Sequence, residues 1–166
     1  MLGISWQEVT ITGQSNHAGT TPMSMRRDAG FAAARLAVAV REIAAQASGQ
    51  PVGTVGSIQL YPDLVNVVAA RATITVDLRN TDAAALRAMR DAFDAAVAAV
   101  ARDEQVDITS RVTADFDPVV FDDDLVAIVE DVSTALGHTV RRLPSGAGHD
   151  AQMLARMCPK IGRAHV

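Results

Sequence analysis

The sequence holds one cysteine, Cys158, in 166 residues. An internal disulfide framework is therefore excluded, and this usage fits a reducing compartment. Aromatic residues are scarce, with four Phe, one Trp and one Tyr, and no basic stripe interleaves with them. The net charge is −4 and the pI is near 5.5. Both facts speak against nucleic acid as a partner. No apolar run approaches the roughly 18–20 residues that span a bilayer, so no membrane association is expected. The opening Met1–Leu2–Gly3–Ile4 lacks a charged leader and a long apolar stretch, so no signal peptide is expected and a cytoplasmic protein is the default. Metal signatures are missing too. There is no His-Glu-x-x-His and no Cys-x-x-Cys, and His17, His138, His149 and His165 form no pair at helical spacing. No metal ligand is expected within this chain.

What is present is ample apolar content. Hydrophobic residues make up 49% and charged residues 20%, which suits one domain, or one domain and part of another. Ser5 to Thr12 alternates like a strand, with Gln7, Val9 and Ile11 on one side. From Ala29 to Ser48 the period becomes helical, with a stripe of Ala32, Leu36, Ala39, Val40, Ile43 and Ala47. Asp28 is placed to cap that helix and Gly49 to stop it. Thr54 to Tyr61 is a second strand. Residues 70–79 alternate most cleanly, setting Ala72, Ile74, Val76 and Leu78 against Thr73, Thr75, Asp77 and Arg79. Asn80–Thr81–Asp82 caps a second helix with the stripe Leu86, Met89, Phe93, Val97 and Val100, and a strand follows from Val106 to Phe116. This order, β-α-β-β-α-β, predicts an α+β ferredoxin-like fold with two helices on one face of a four-stranded antiparallel sheet.

The pattern restarts at Val119. A helix capped by Asp122–Asp124 carries Leu125, Ile128, Val129, Val132 and Leu136 and stops at Gly137. A short strand from Thr139 to Leu143 and a helix from Ala151 to Met157 are expected next. This β-loop-α piece reads as part of an α/β domain. Residues 161–166 fit no pattern and resemble the translation of a common sequencing adapter.

The stretch most able to carry chemistry is Ser15-Asn-His-Ala-Gly-Thr-Thr-Pro22, closed by Arg26–Arg27–Asp28. It is a polar loop held between a strand and a helix, where function concentrates. His17 lies among small residues, so its imidazole can be presented as a proton donor or oxyanion partner; the plainer reading is a histidine that caps loop backbone. Asn66 interrupts an apolar run and is either a turn residue or a ligand contact. Arg79 can pair with Asp77 or offer a planar fork to a carboxylate. Gly148 and His149, in Ser-Gly-Ala-Gly-His-Asp, form either a tight turn or a backbone cradle at a helix start. His138, beside a helix-stop glycine, reads as a surface residue favoured by the helix dipole.

Taken together, Asn16-His-Ala-Gly-Thr-Thr-Pro22 with Arg27–Asp28, Asn66-Val-Val68, Val76-Asp-Leu-Arg79 and Ser145-Gly-Ala-Gly-His-Asp-Ala151 resemble one family. It is that of the N-carbamoyl-L-amino-acid hydrolases, allantoate amidohydrolases and β-ureidopropionases, within the zinc aminoacylase and carboxypeptidase-like superfamily. The resemblance implies a ferredoxin-like lid and dimerisation domain over residues 1–117, a partial catalytic α/β segment over 118–160 and the adapter-like tail over 161–166. It implies that His17 stabilises the oxyanion, across a homodimer interface, and that Asn66 and Arg79 hold the substrate carboxylate. Gly148 and His149 would contact the substrate. The intact enzyme would use a divalent metal, zinc or manganese, held by residues outside this chain, to hydrolyse a carbamoyl or ureido amino acid, and this segment alone would be inactive. Two alternatives stand beside this: the lid of a dipeptidase or N-acyl amino-acid hydrolase, and a non-catalytic ferredoxin-like dimerisation or ligand-binding module.

Overall fold

The structure, a computed structural model, describes residues 1–148, 150–155 and 157–162. Strand β1 (Gly3–Thr12) leads through a polar loop and a single 3-10 turn (Met23–Met25) into helix α1 (Ala29–Gln46). Strands β2 (Val52–Tyr61) and β3 (Arg71–Asn80), helix α2 (Ala83–Glu104) and strand β4 (Asp107–Phe116) complete the unit. The sheet order is β2-β3-β1-β4 with antiparallel neighbours throughout. That is the ferredoxin-like arrangement expected from the periodicity, with β3 and β1 central and β2 and β4 at the edges.

Alternation on β3 decides where the core lies. Ala72, Ile74, Val76 and Leu78 are buried, and the register sets Val9 opposite Ile74 and Ile11 opposite Ala72. Helix α1 adds Ala29, Ala32, Ala33, Leu36 and Val40, and α2 adds Leu86, Met89, Phe93 and Val100. Each large side chain buried here stabilises the fold by roughly 1.5–3 kcal/mol. Ala33, absent from the expected stripe, is buried because it lies four residues after Ala29 and three before Leu36, on the same inward face of α1. Gln7 is also buried on this face, where its Oε1 accepts from Ser110 Oγ at 2.8 Å.

The helix ends follow their capping residues. Asp28 Oδ1 accepts from the Gly30 and Phe31 amides at 2.9 and 3.0 Å, and Asp82 Oδ1 from Ala85 at 2.7 Å. Asn80, fully buried at the end of β3, donates to Ser48 O at 2.9 Å and accepts from the Asp82 amide at 3.1 Å. It ties the α1–β2 turn to the start of α2. Gly49, at φ 82°, occupies the left-handed position that this turn needs.

Beyond β4 come α3 (Asp123–Ala135) and a short α4 (Ala151–Leu154). Asp122 caps α3 by accepting from Leu125 at 3.0 Å, and Gly137 ends it at φ 81°. The strand expected over Thr139–Leu143 does not form, and these residues are irregular and exposed. A strand needs a neighbouring edge for its backbone groups, and none lies alongside this stretch among the described residues. The helix expected to Met157 ends at Leu154. Of the adapter-like residues, 163–166 lie outside the described residues.

Candidate active site

The polar loop after β1 is held by backbone on both sides. Gly13 N donates to Ala70 O at 2.7 Å and Gln14 N to Arg27 O at 2.8 Å. A Cβ on Gly13 would lie 2.1 Å from Arg27 O, so only glycine allows this crossing. Further along, Val68 N donates to Asn16 O at 2.8 Å and Ala18 N to Asn66 O at 2.9 Å. These bonds frame an isolated antiparallel bridge between His17 and Val67. The β1–α1 loop and the β2–β3 loop are thus zipped together, and His17 and Asn66 sit side by side, both exposed. Asn66 is not the left-handed residue of its turn; that position belongs to Asp63, at φ 46°.

Within the loop, His17 O accepts from Thr21 Oγ1 at 2.9 Å and His17 Nδ1 accepts from Gly19 N at 3.1 Å. Arg26 reaches back from the 3-10 turn, donating from Nη2 to Ala18 O at 2.6 Å and from Nε to Thr21 O at 3.1 Å. Nothing in the periodicity of the sequence points to this clasp, because it depends on how the turn folds over.

Arg79 lies at the opposite end of the sheet. From Arg71, beside the His17 loop, to Arg79 is roughly 27 Å along β3 at about 3.4 Å per residue. Its Nε and Nη2 donate to Asp77, the latter at 2.6 Å, and the guanidinium stands 5.9 Å from the Trp6 ring centroid. The plain ion pair with Asp77 is therefore made. A third bond runs from Nη1 to Gly146 O at 2.5 Å. The same glycine-rich loop accepts Leu2 N at Ser145 O, at 2.9 Å. Gly148 follows, exposed, its Cβ position 3.5 Å from Ile4 Cδ1. His149 lies outside the described residues. His138 is exposed just past the end of α3.

The described residues among those predicted for the site therefore fall into two groups within one chain. His17 and Asn66 share one end of the sheet, and Arg79 and the Gly146–Gly148 loop share the other. Asn66 and Arg79, expected to act on one carboxylate, are not brought together inside a single copy. Among the described residues, no three His, Cys, Asp or Glu side chains gather as a metal ion requires, so the residues present do not fit a metal centre. No helix among them is long and apolar enough to cross a membrane.

Comparison with known proteins agrees with this architecture. A family model described as the peptidase dimerisation domain, M20 type, matches residues 2–105. The chain is 37% identical to an N-carbamoyl-L-amino-acid amidohydrolase of Rhizobium meliloti, over 96% of this chain and 40% of that protein. It is 37% identical to an allantoate amidohydrolase of Escherichia coli K12, over 91% of this chain and 37% of that protein. A crystal structure of a hydantoinase/carbamoylase family amidase from Burkholderia multivorans superposes with a TM-score of 0.91 at 38% identity, covering 95% of this chain and 38% of that one. The chain spans about two fifths of the length of the curated relatives it matches. It belongs to the M20 peptidase dimerisation domain family.

Proposed function

We propose that this chain is the lid and dimerisation part of a metal-dependent amidohydrolase that cleaves a C–N bond in N-carbamoyl amino acids or a ureido acid such as allantoate. Residues 1–117 form the lid and 118–160 part of the catalytic domain. The names of its relatives support the substrate class. The observation that carries the reading is the pair of half-sites at opposite ends of one sheet. A homodimer related by a two-fold axis can bring the His17 and Asn66 end of one copy to the Arg79 and Gly148 end of the other. The β2 edge strand exposes Val52, Ile58 and Leu60, an apolar surface for such pairing.

In this reading His17 donates a hydrogen bond to the carbonyl oxygen as negative charge develops there, and Asn66, from the same end, reaches the substrate carboxylate across the dimer interface. Arg79 binds the substrate carboxylate with its planar fork, Asp77 holding that fork in place. Gly148 lines the same end, and its sequence neighbour His149, outside the described residues, would be a further substrate contact. The metal, zinc or manganese, would activate water and is held by residues outside this chain; no step on this chain's residues depends on its geometry. A cytoplasmic setting fits the exposed free thiol of Cys158.

The test uses the complete enzyme that contains this segment, assayed with divalent metal for ammonia or amino-acid release from N-carbamoyl amino acids and allantoate. His17→Ala and Arg79→Ala should each lower kcat/KM by on the order of 100-fold or more. Mixed dimers of the two variants should regain activity, because one of their two sites then holds both wild-type residues. Failure of the mixture to recover would overturn the shared site, and lack of turnover on every ureido substrate would overturn the substrate class.

A further inference from the structure

We infer that Arg26 is a positioning residue for His17, and that the Gly19 amide sets the tautomer His17 presents. The inference rests on the reading above in one respect only, that His17 is the group that matters in this loop. The loop from Gln14 to Thr21 is polar and mostly exposed, and loops with little buried apolar surface open readily unless tied down. Arg26 supplies the tie. It is half-buried, and its backbone is held by its own amide bond to Met23 O at 3.3 Å. From there one planar guanidinium reaches both Ala18 O at 2.6 Å and Thr21 O at 3.1 Å, the two carbonyls that bracket the turn after His17. A fork with donors fixed in one plane can hold both carbonyls at once, whereas a lysine ammonium is a flexible point charge.

The turn so held has a chemical consequence. It aims the Gly19 N–H at His17 Nδ1, 3.1 Å away. A neutral imidazole whose Nδ1 accepts a hydrogen bond carries its proton on Nε2. The loop therefore offers Nε2–H outward as a donor, the form an oxyanion needs. Glycine at position 19 is part of the device, because a Cβ there would stand 3.2 Å from His17 Cε1 and crowd the ring.

The 166-residue chain itself can be tested without any turnover, so a failure here is separable from a failure of the proposed activity. Long-range proton–nitrogen NMR should find His17 as one tautomer at neutral pH, with Nδ1 unprotonated and Nε2 protonated. Arg26→Gln should speed Gly19 amide exchange by on the order of tenfold and move the His17 nitrogens toward the mixture of an unstructured peptide, with β1 and β3 amides still protected. Arg26→Lys should recover only part of each change. Gly19→Ala, which leaves the clasp in place, should shift the His17 nitrogens while the Ala18 amide keeps its wild-type exchange. A protonated Nδ1 in the wild type, or His17 nitrogens and Gly19 exchange unmoved by Arg26→Gln, would overturn the inference. If Arg26→Gln abolishes protection of the whole sheet, the Lys and Gly19 variants decide the matter by the same readouts. In the complete enzyme, Arg26→Gln should lower kcat more than it alters KM, and should add little to His17→Ala.

Discussion

Helices α2 and α3 make an instructive pair. Both begin at an aspartate cap, Asp82 and Asp122, and both carry an apolar stripe at helical spacing. The stripe of α2 is packed away, with Leu86, Met89, Phe93 and Val100 buried against the sheet. Helix α3 has no buried residue, and Ile128, Val129, Val132 and Leu136 are each at least half exposed. The difference is one of partners. An amphipathic helix gains most of its stability from the surface it packs on, and only α2 has a sheet beneath it. The contrast extends to the regions as a whole: residues 3–116 share one core, while no residue beyond 117 contributes to that core among the described residues.

The sharpest way to break this comparison is to truncate one residue on each helix. Phe93→Ala should cost about 3–5 kcal/mol in urea unfolding, because it empties a fully buried ring site. Val132→Ala should stay within about 0.5 kcal/mol, as an exposed substitution does. Similar costs for both would mean that α3 is packed in solution. Asn80→Ala should come next, at roughly 1–3 kcal/mol, since it leaves the Ser48 carbonyl and the Asp82 amide without their buried partner. Removing caps sharpens the contrast further. Asp28→Ala should lower global stability by about 1 kcal/mol, whereas Asp122→Ala should change local helicity but not the unfolding midpoint. The smallest energies are read by amide exchange, where amides of β1, β3 and α2 should be protected to near the global limit and those of residues 119–160 far less. Equal protection in both regions would remove the distinction.

Much of the fold was legible because it rests on local periodicity. The alternation of Ala72, Ile74, Val76 and Leu78 named the core face of β3, and Asp28 and Asp82 named the helix starts. Thr139–Leu143 has the pattern of a strand but stays irregular, because β-propensity describes a segment's fitness for an edge and says nothing of whether an edge is there. The site shows the same split. His17, Asn66 and Arg79 stood out as residue types in telling places, and the ion pair of Arg79 with Asp77 followed from their spacing on one face of a strand. Their grouping did not. Asn66 is brought beside His17 by two backbone bonds, Ala18 N to Asn66 O and Val68 N to Asn16 O, between loops 48 and 52 residues apart in sequence, and no spacing rule reports such a meeting.

By itself, the amino-acid sequence determined the order of elements, the inward face of each and the residues capable of chemistry, since these follow from side-chain size, polarity and local backbone preference. Tertiary structure alone decided three things: which apolar stripes are covered, that residues 139–143 stay irregular, and that the candidate site is divided between the two ends of one sheet. All three depend on strand register and on contacts between distant segments. Antiparallel pairing of β1 with β3 carries Thr12 to Arg71 and Gly3 to Asn80, and that pairing keeps the His17 loop a full strand length from Arg79.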